Sequence, residues 1–260
     1  MSELVERSVA TPVGAARVWE KGRGNPIGFF AGLGGLPAWL PVLDALAARH
    51  RVVAPSLPGF PGGAEYERLD DIFDWSLAAI DLVTAAGLSG VDLIGASVGG
   101  ALAAEVAALR PDLVRKLVLI APYGLFDEAA PIRDAFACKP GEQSGVLTRD
   151  PQSYDAYRAR PNSAGEMDWT VMQVRAEMAA ARILWPLGDT RLRKRLFRIT
   201  QPTLIIWGAE DRVIPPSYAA KFAAGISGRT KIVTIPNAGH KVEFDAPDAV
   251  ADAIAAFVKE

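Results

Sequence analysis

Six short apolar runs punctuate the chain: Ile27–Ala31, Val52–Ala54, Val91–Ile94, Leu117–Ile120, Thr203–Trp207 and Lys231–Ile235. They are rich in β-branched residues and lack the apolar–polar alternation of a strand with one wet face. Runs of this kind suit strands buried on both faces, as a parallel sheet requires. Segments of helical period separate them, at Ala38–Arg49, Asp71–Ala86, Val98–Leu109, Ser217–Ala224 and Pro247–Val258. Strand alternating with helix predicts an α/β chain whose mostly parallel sheet carries helices on both faces. Ahead of it, Leu4–Thr11 and Ala15–Glu20 flank Pro12-Val13-Gly14 as an antiparallel hairpin leading into the sheet. With 260 residues, half of them hydrophobic, the chain can bury one substantial core.

The alternation breaks between about Pro122 and Ile199. Helical patterns replace strand signals there: Trp169–Ile183 spaces Met172, Val174, Met178, Ala179 and Arg182 at helical intervals, and Arg191–Ile199 sets Leu192, Leu196 and Ile199 on one face. Residues 123–198 therefore read as a helical insertion, and 1–122 with 199–260 as the core that it interrupts. The basic run Arg191-Leu192-Arg193-Lys194-Arg195-Leu196-Phe197-Arg198 reads as the solvated face of a helix in that insertion. Asp70-Asp71 reads as the N-cap region of the helix that follows.

Chemistry enters at Gly95-Ala96-Ser97-Val98-Gly99, a G-x-S-x-G segment with an apolar strand before it and a helix after it. Flanking glycines let a serine occupy a tight strand-to-helix turn, and the helix N-terminus favours negative charge developing beside it. Ser97 is thus the candidate nucleophile. A serine hydroxyl needs a base, and the chain has two histidines. His50 precedes the strand Val52–Ala54 and lies at the amino edge of the sheet. His240 follows the last strand in the loop Pro236–His240, at the carboxyl edge where such sheets gather their reactive groups. The acid that orients the base should also come from a carboxyl strand end. Trp207-Gly208-Ala209-Glu210-Asp211-Arg212 offers Asp211, with Glu210 as its local rival and Asp127 a distant third. An oxyanion hole would combine the backbone N–H groups of Val98 and of Leu33, the latter in the glycine-rich loop Phe29–Gly35.

At these residues the sequence resembles the α/β-hydrolase superfamily over nearly its whole length apart from the insertion. Phe30–Gly35, Ala54-Pro55-Ser56-Leu57-Pro58-Gly59-Phe60, Gly95–Gly100, and Gly208–Pro215 with Asn237–His240 carry the likeness. The resemblance implies an eight-stranded sheet, a helical cap at the insertion, the chain order Ser97, Asp211, His240, and an acyl-enzyme mechanism without metal or cofactor. Two positions depart from common patterns. Ala31-Gly32 stands where many relatives have His-Gly, which implies altered loop packing. Lys241 stands where carbon–carbon bond hydrolases of ring-cleavage products usually carry tryptophan, which ranks that activity below ester hydrolysis.

The expected partner is a small molecule, with Trp169, Met172 and Trp185 as candidate walls of an apolar substrate pocket. A net charge of -2 gives no general attraction to phosphate, so nucleic acid is not expected. Met1–Arg7 has no apolar signal core, no uninterrupted apolar stretch is long enough to span a membrane, and the single Cys138 cannot form an internal disulfide. These features predict a cytoplasmic chain without a membrane partner. Two histidines and one cysteine, far apart in sequence, predict no metal site. Oligomeric state leaves no mark in the sequence. Three activities fit: hydrolysis of a small ester, carbon–carbon bond hydrolysis or perhydrolysis on the same triad, and a hydrolase-fold receptor that binds without turnover.

Overall fold

The computed structural model describes residues 2–139, 141–186 and 188–260. Met1, Pro140 and Leu187, the last two within the expected insertion, lie outside them. Eight strands form one sheet: β1 (Val5–Thr11), β2 (Gly14–Lys21), β3 (Pro26–Phe30), β4 (Arg51–Pro55), β5 (Val91–Ala96), β6 (Val114–Ile120), β7 (Thr203–Gly208) and β8 (Thr230–Ile235). Their spatial order is β1-β2-β4-β3-β5-β6-β7-β8. The hairpin β1–β2 and the β2–β4 pair are antiparallel, and the remaining pairs are parallel.

Among the described residues the helices are α1 (Pro41–Ala47), α2 (Ile72–Ala85), α3 (Ser97–Leu109), α4 (Gln143–Leu147), α5 (Pro151–Arg158), α6 (Glu166–Leu184), α7 (Tyr218–Gly225), α8 (Val242–Asp245) and α9 (Pro247–Lys259). Pro41 occupies the first turn of α1, so that helix begins three residues later than the apolar spacing suggests. A proline there loses no intrahelical bond, because the first N–H groups of a helix have no partner within it. Asp71 caps α2 as its sequence position predicts, its carboxylate accepting from the N–H groups of Phe73 and Asp74.

β5 lies between β3 and β6 near the centre of the sheet and is buried throughout, as is β7. Its continuation α3 is almost wholly buried, lined by Val98, Ala101, Leu102, Ala104 and Val106. β8 departs from the sequence expectation. It is the edge strand, with Lys231 exposed and Ile232 43% exposed, so it is not buried on both faces. Period alone cannot separate an edge strand from a central one when β-branched residues occupy both faces.

Between β6 and β7 the described chain adds no strand to the sheet. α4, α5 and α6 occupy that stretch, and α6 packs its small face, Ala176, Ala179 and Ala180, inward. The expected helix at Arg191–Ile199 is instead two 3₁₀ turns, Leu192–Lys194 and Leu196–Arg198, entered through Arg191 in a left-handed conformation. Leu192, Leu196 and Ile199 are all buried, so the apolar spacing was real and the helical continuity was not. Nor is the whole basic run solvated. Arg195 donates through Nε to Glu105 Oε2 at 2.6 Å, and Glu105, on α3, is 1% exposed.

Burial pushes the Glu105 carboxyl upward, and the Arg195 guanidinium opposes that shift. Removing one partner of a buried ion pair strands the other charge. Arg195→Ala should therefore destabilise the fold by roughly 3 kcal/mol near neutral pH, read by denaturant or thermal unfolding. Without its partner, the folded-state carboxyl lies further above its unfolded value. The stability it permits is then present at low pH and lost as pH rises, so the deficit should shrink on acidification.

Candidate active site

Ser97 stands where β5 turns sharply into α3, with φ at 53°. For a non-glycine residue this left-handed conformation is unfavourable and persists only where surrounding structure enforces it. The enforcement is backbone on backbone. A side chain at Gly99 would overlap the carbonyl oxygens of Ala31 and Phe30, and one at Gly32 would stand 2.8 Å from Cβ of Ser97. The end of β3 and the loop after it thus press directly against the first turn of α3. Leu33 lies on that loop, 5% exposed, and Val98 is fully buried in the first turn of α3. Neither N–H has a partner among the described residues, as expected for the start of a helix at Val98.

Three sequence candidates, far apart in the chain, meet here. Ser97 Oγ lies 2.8 Å from His240 Nε2, and His240 Nδ1 lies 2.9 Å from Asp211 Oδ2. Ser97 is 2% and His240 1% exposed, so bulk water is kept from their contact. Asp211 is itself held on both oxygens. Oδ2 also accepts from Trp207 Nε1 at 3.0 Å, and Oδ1 accepts from the N–H groups of Val213 and Ile214 at 2.8 and 2.9 Å. A carboxylate accepting several N–H bonds on both oxygens is fixed in orientation.

The rival acids are elsewhere engaged. Glu210 pairs with Arg149 at 3.0 Å on the surface. Asp127 pairs with Lys221, and its backbone N–H donates to the Tyr218 hydroxyl. His50 precedes β4 at the amino edge of the sheet, as the sequence implies.

Tyr123 sits edge-on to the His240 ring, centroids 5.4 Å apart, and its N–H donates to the Ser97 carbonyl at 3.2 Å. Burial holds its phenol well above the usual range, so it stays neutral. Beyond Tyr123 opens an apolar cavity of about 130 Å³, lined by residues that include Ile132, Phe136, Leu184 and Trp185. Of the three sequence candidates for pocket walls, Trp185 borders this cavity, although its side chain is 80% exposed. Trp169 and Met172 are half-buried on α6 and do not line it, and Trp169 Nε1 instead donates to the Arg158 carbonyl.

Sequence reasoning missed Trp207 and Tyr123. Trp207 stands four residues before Asp211 at the same strand end, a local signal that was available. Tyr123 reaches His240 through the fold, and nothing in its neighbourhood announces it. The loop bearing His240 is also tied down: Asp245 accepts from Gly239 N–H at 2.7 Å and from Arg149 N–H at 3.0 Å. Among the described residues, no group of three or more His, Cys, Asp or Glu side chains is placed to hold a metal ion. Nor is any described helix long and apolar enough to cross a membrane.

Residues 29–253 match the model of the alpha/beta hydrolase family. The chain belongs to that family. It is 30% identical over 250 residues to the dihydrolipoyllysine-residue acetyltransferase component of the acetoin cleaving system of Pseudomonas putida. That match covers 91% of this chain and 64% of the relative, so the chain spans less than two thirds of it. With the 2-hydroxymuconate semialdehyde hydrolase of Pseudomonas sp. (strain CF600) it shares 26% identity over 267 residues, covering 93% and 89% of the two chains. The solved structure of 2-hydroxy-6-oxo-6-phenylhexa-2,4-dienoate hydrolase from Rhodococcus sp. strain RHA1 superposes over the full length of both chains, with a TM-score of 0.79 at 18% identity.

The contact at Gly99 gives a direct test of how the turn is held. Gly99→Ala should cost about 3 kcal/mol or prevent folding, because the added methyl group meets backbone that cannot rotate away. Its midpoint of thermal unfolding, compared with that of wild type, checks this.

Proposed function

We propose that this chain hydrolyses a small ester or related acyl compound through an acyl-enzyme on Ser97. The observation that carries the reading is the unbroken hydrogen-bonded line from Ser97 Oγ through His240 to Asp211, at 2.8 and 2.9 Å. Ser97 Oγ attacks the carbonyl carbon while His240 Nε2 takes the hydroxyl proton. Asp211 keeps Nδ1 protonated and stabilises the imidazolium that forms. The carbonyl oxygen gathers negative charge and turns to the N–H groups of Leu33 and Val98. His240 then gives its proton to the departing alkoxide. A water molecule, deprotonated by His240, attacks the acyl carbon, and Ser97 leaves with the proton returned to it. The products are the alcohol and the acid, and the enzyme is restored.

In this reading residues 123–198 form a cap over the site, and the acyl group enters the cavity beside Tyr123. A volume of about 130 Å³ with apolar walls suits a short aliphatic or single-ring group. A second reading, carbon–carbon bond hydrolysis of a vinylogous diketone, draws on the hydrolase relative from Pseudomonas sp. (strain CF600). The same three residues would serve it, so side-by-side turnover of an aryl ester and a vinylogous diketone separates the two.

Labelling with a fluorophosphonate, followed by peptide mapping, should give one adduct on Ser97 that is absent from Ser97→Ala. The same variant should lose about 10⁴-fold or more in kcat, and Asp211→Asn about 10⁴-fold, with each protein still folded. Full ester turnover by Ser97→Ala would refute the mechanism. The cavity makes a separate prediction. Ile132→Trp should fill it, raising KM for esters of longer or ring-bearing acids about tenfold or more while sparing acetate esters. Rates across a series of 4-nitrophenyl esters test this.

A further inference from the structure

Lys241, immediately after His240, is 5% exposed, an unusual place for a lysine. Its Nζ donates to the carbonyl oxygen of Leu33 at 2.7 Å, across 208 residues of sequence. Near the ammonium also lie Glu243 Oε1 at 3.9 Å and the ring of Tyr154, whose centroid is 5.5 Å away. The lysine's own N–H is anchored on the Leu147 carbonyl at 2.9 Å, so the side chain springs from a fixed point. Among the described residues, the Leu33 carbonyl is the one backbone oxygen that Nζ reaches within hydrogen-bond distance.

That oxygen belongs to the middle of a turn. Gly35 N–H donates to Gly32 O at 2.9 Å, closing a four-residue β-turn whose third residue, Gly34, has φ at 79°. This is the type II arrangement, in which the third position requires positive φ. Type I differs from it mainly by a flip of the central peptide, which carries the Leu33 carbonyl to the other side of the loop. Glycine at position 34 makes that flip easy, because it tolerates either sign of φ. Such a flip rotates ψ of Leu33 about the same Cα that carries the Leu33 N–H, so an anchor on the carbonyl restrains the residue whose N–H would serve the oxyanion.

We propose that Lys241 is a positioning residue for the oxyanion hole: its ammonium holds the Leu33 carbonyl, fixes the turn in its type II form and so aims the Leu33 N–H at the developing oxyanion. The proposal rests on the reading above that Leu33 N–H serves the oxyanion. A charge-assisted hydrogen bond is among the stronger ones, and in a buried site water offers no substitute for it. Lys241 touches no reacting atom in this scheme. It acts on catalysis only through the loop, and its effect belongs to the transition state, because the donor matters most when charge has developed.

The experiment compares wild type, Lys241→Met and Gly34→Ala on 4-nitrophenyl acetate, with active sites titrated to completion by a fluorophosphonate. Outright loss of one oxyanion donor lowers kcat by about 10²–10³, and misaiming one should cost roughly 10- to 100-fold. Lys241→Met should show that fall in kcat per titrated site with KM changed less than about twofold. Its affinity for a boronic acid that mimics the tetrahedral adduct should fall in proportion. A merely structural role would reduce the number of titratable sites and leave the rate at each of them intact. Gly34→Ala retains the lysine but penalises positive φ; the added methyl group would meet only the Tyr154 hydroxyl, 4.0 Å away. It should reproduce the loss in kcat. Wild-type kcat per site in Lys241→Met overturns the proposal. Should that variant fail to fold, Gly34→Ala decides: wild-type kcat there overturns it and a lowered kcat supports it. A wild-type enzyme that neither labels at Ser97 nor cleaves the ester refutes the esterase reading, and this proposal falls with it.

Discussion

The site depends on two stretches of main chain approaching more closely than any side chain would permit. The carbonyl groups at the end of β3 lie against the first turn of α3, and Gly99 is what lets them do so. From that contact follow the forced backbone of Ser97, the depth at which its hydroxyl is held and the position of the Leu33 loop beside it. The parallel pairing of β3 with β5 sets both chains at the same height, Phe30 opposite Gly95, so the loop and the turn emerge side by side. Sheet register and reactive geometry are in this sense one constraint.

Around the turn, the polar groups are fixed by bonds running away from the reaction. Asp211 is gripped by the indole of Trp207 and by two main-chain N–H groups that follow it. His240 is held between Asp211 and the edge of Tyr123. Each group has few ways to relax, and the hydroxyl, imidazole and carboxylate are held in line. For the proposed acyl-enzyme reaction, such preorganisation is where electrostatic catalysis gains most, since no dipole has to turn.

Much of this was legible in the residues because the signals were local. G-x-S-x-G announced its own turn, and apolar runs without alternation announced buried parallel strands. Position at a carboxyl strand end separated His240 from His50 and singled out the acidic pair Glu210-Asp211. What stayed hidden was decided by distant partners. Leucine spacing at 192, 196 and 199 reported burial faithfully, but two 3₁₀ turns bury the same residues as a helix would. Arg195 looked like one more surface charge until α3 supplied Glu105. Ile232 and Val233 have the composition of a central strand, and only the order of strands makes β8 an edge. Lys241 registered as a missing tryptophan, and its bond to Leu33 could be seen only once the chain was folded.

Asp245 carries a consequence of a different kind. One carboxylate receives the N–H of Gly239, next to His240, and the N–H of Arg149, in the link between α4 and α5. The loop that carries His240 and the link between α4 and α5 therefore share this fastening, beside the bond from Lys241 N–H to the Leu147 carbonyl. Changes in that link which tug on residue 149 will also reach the loop that carries His240. On the proposed acyl-enzyme reading, substrate choice through this stretch and proton transfer at His240 are therefore coupled traits.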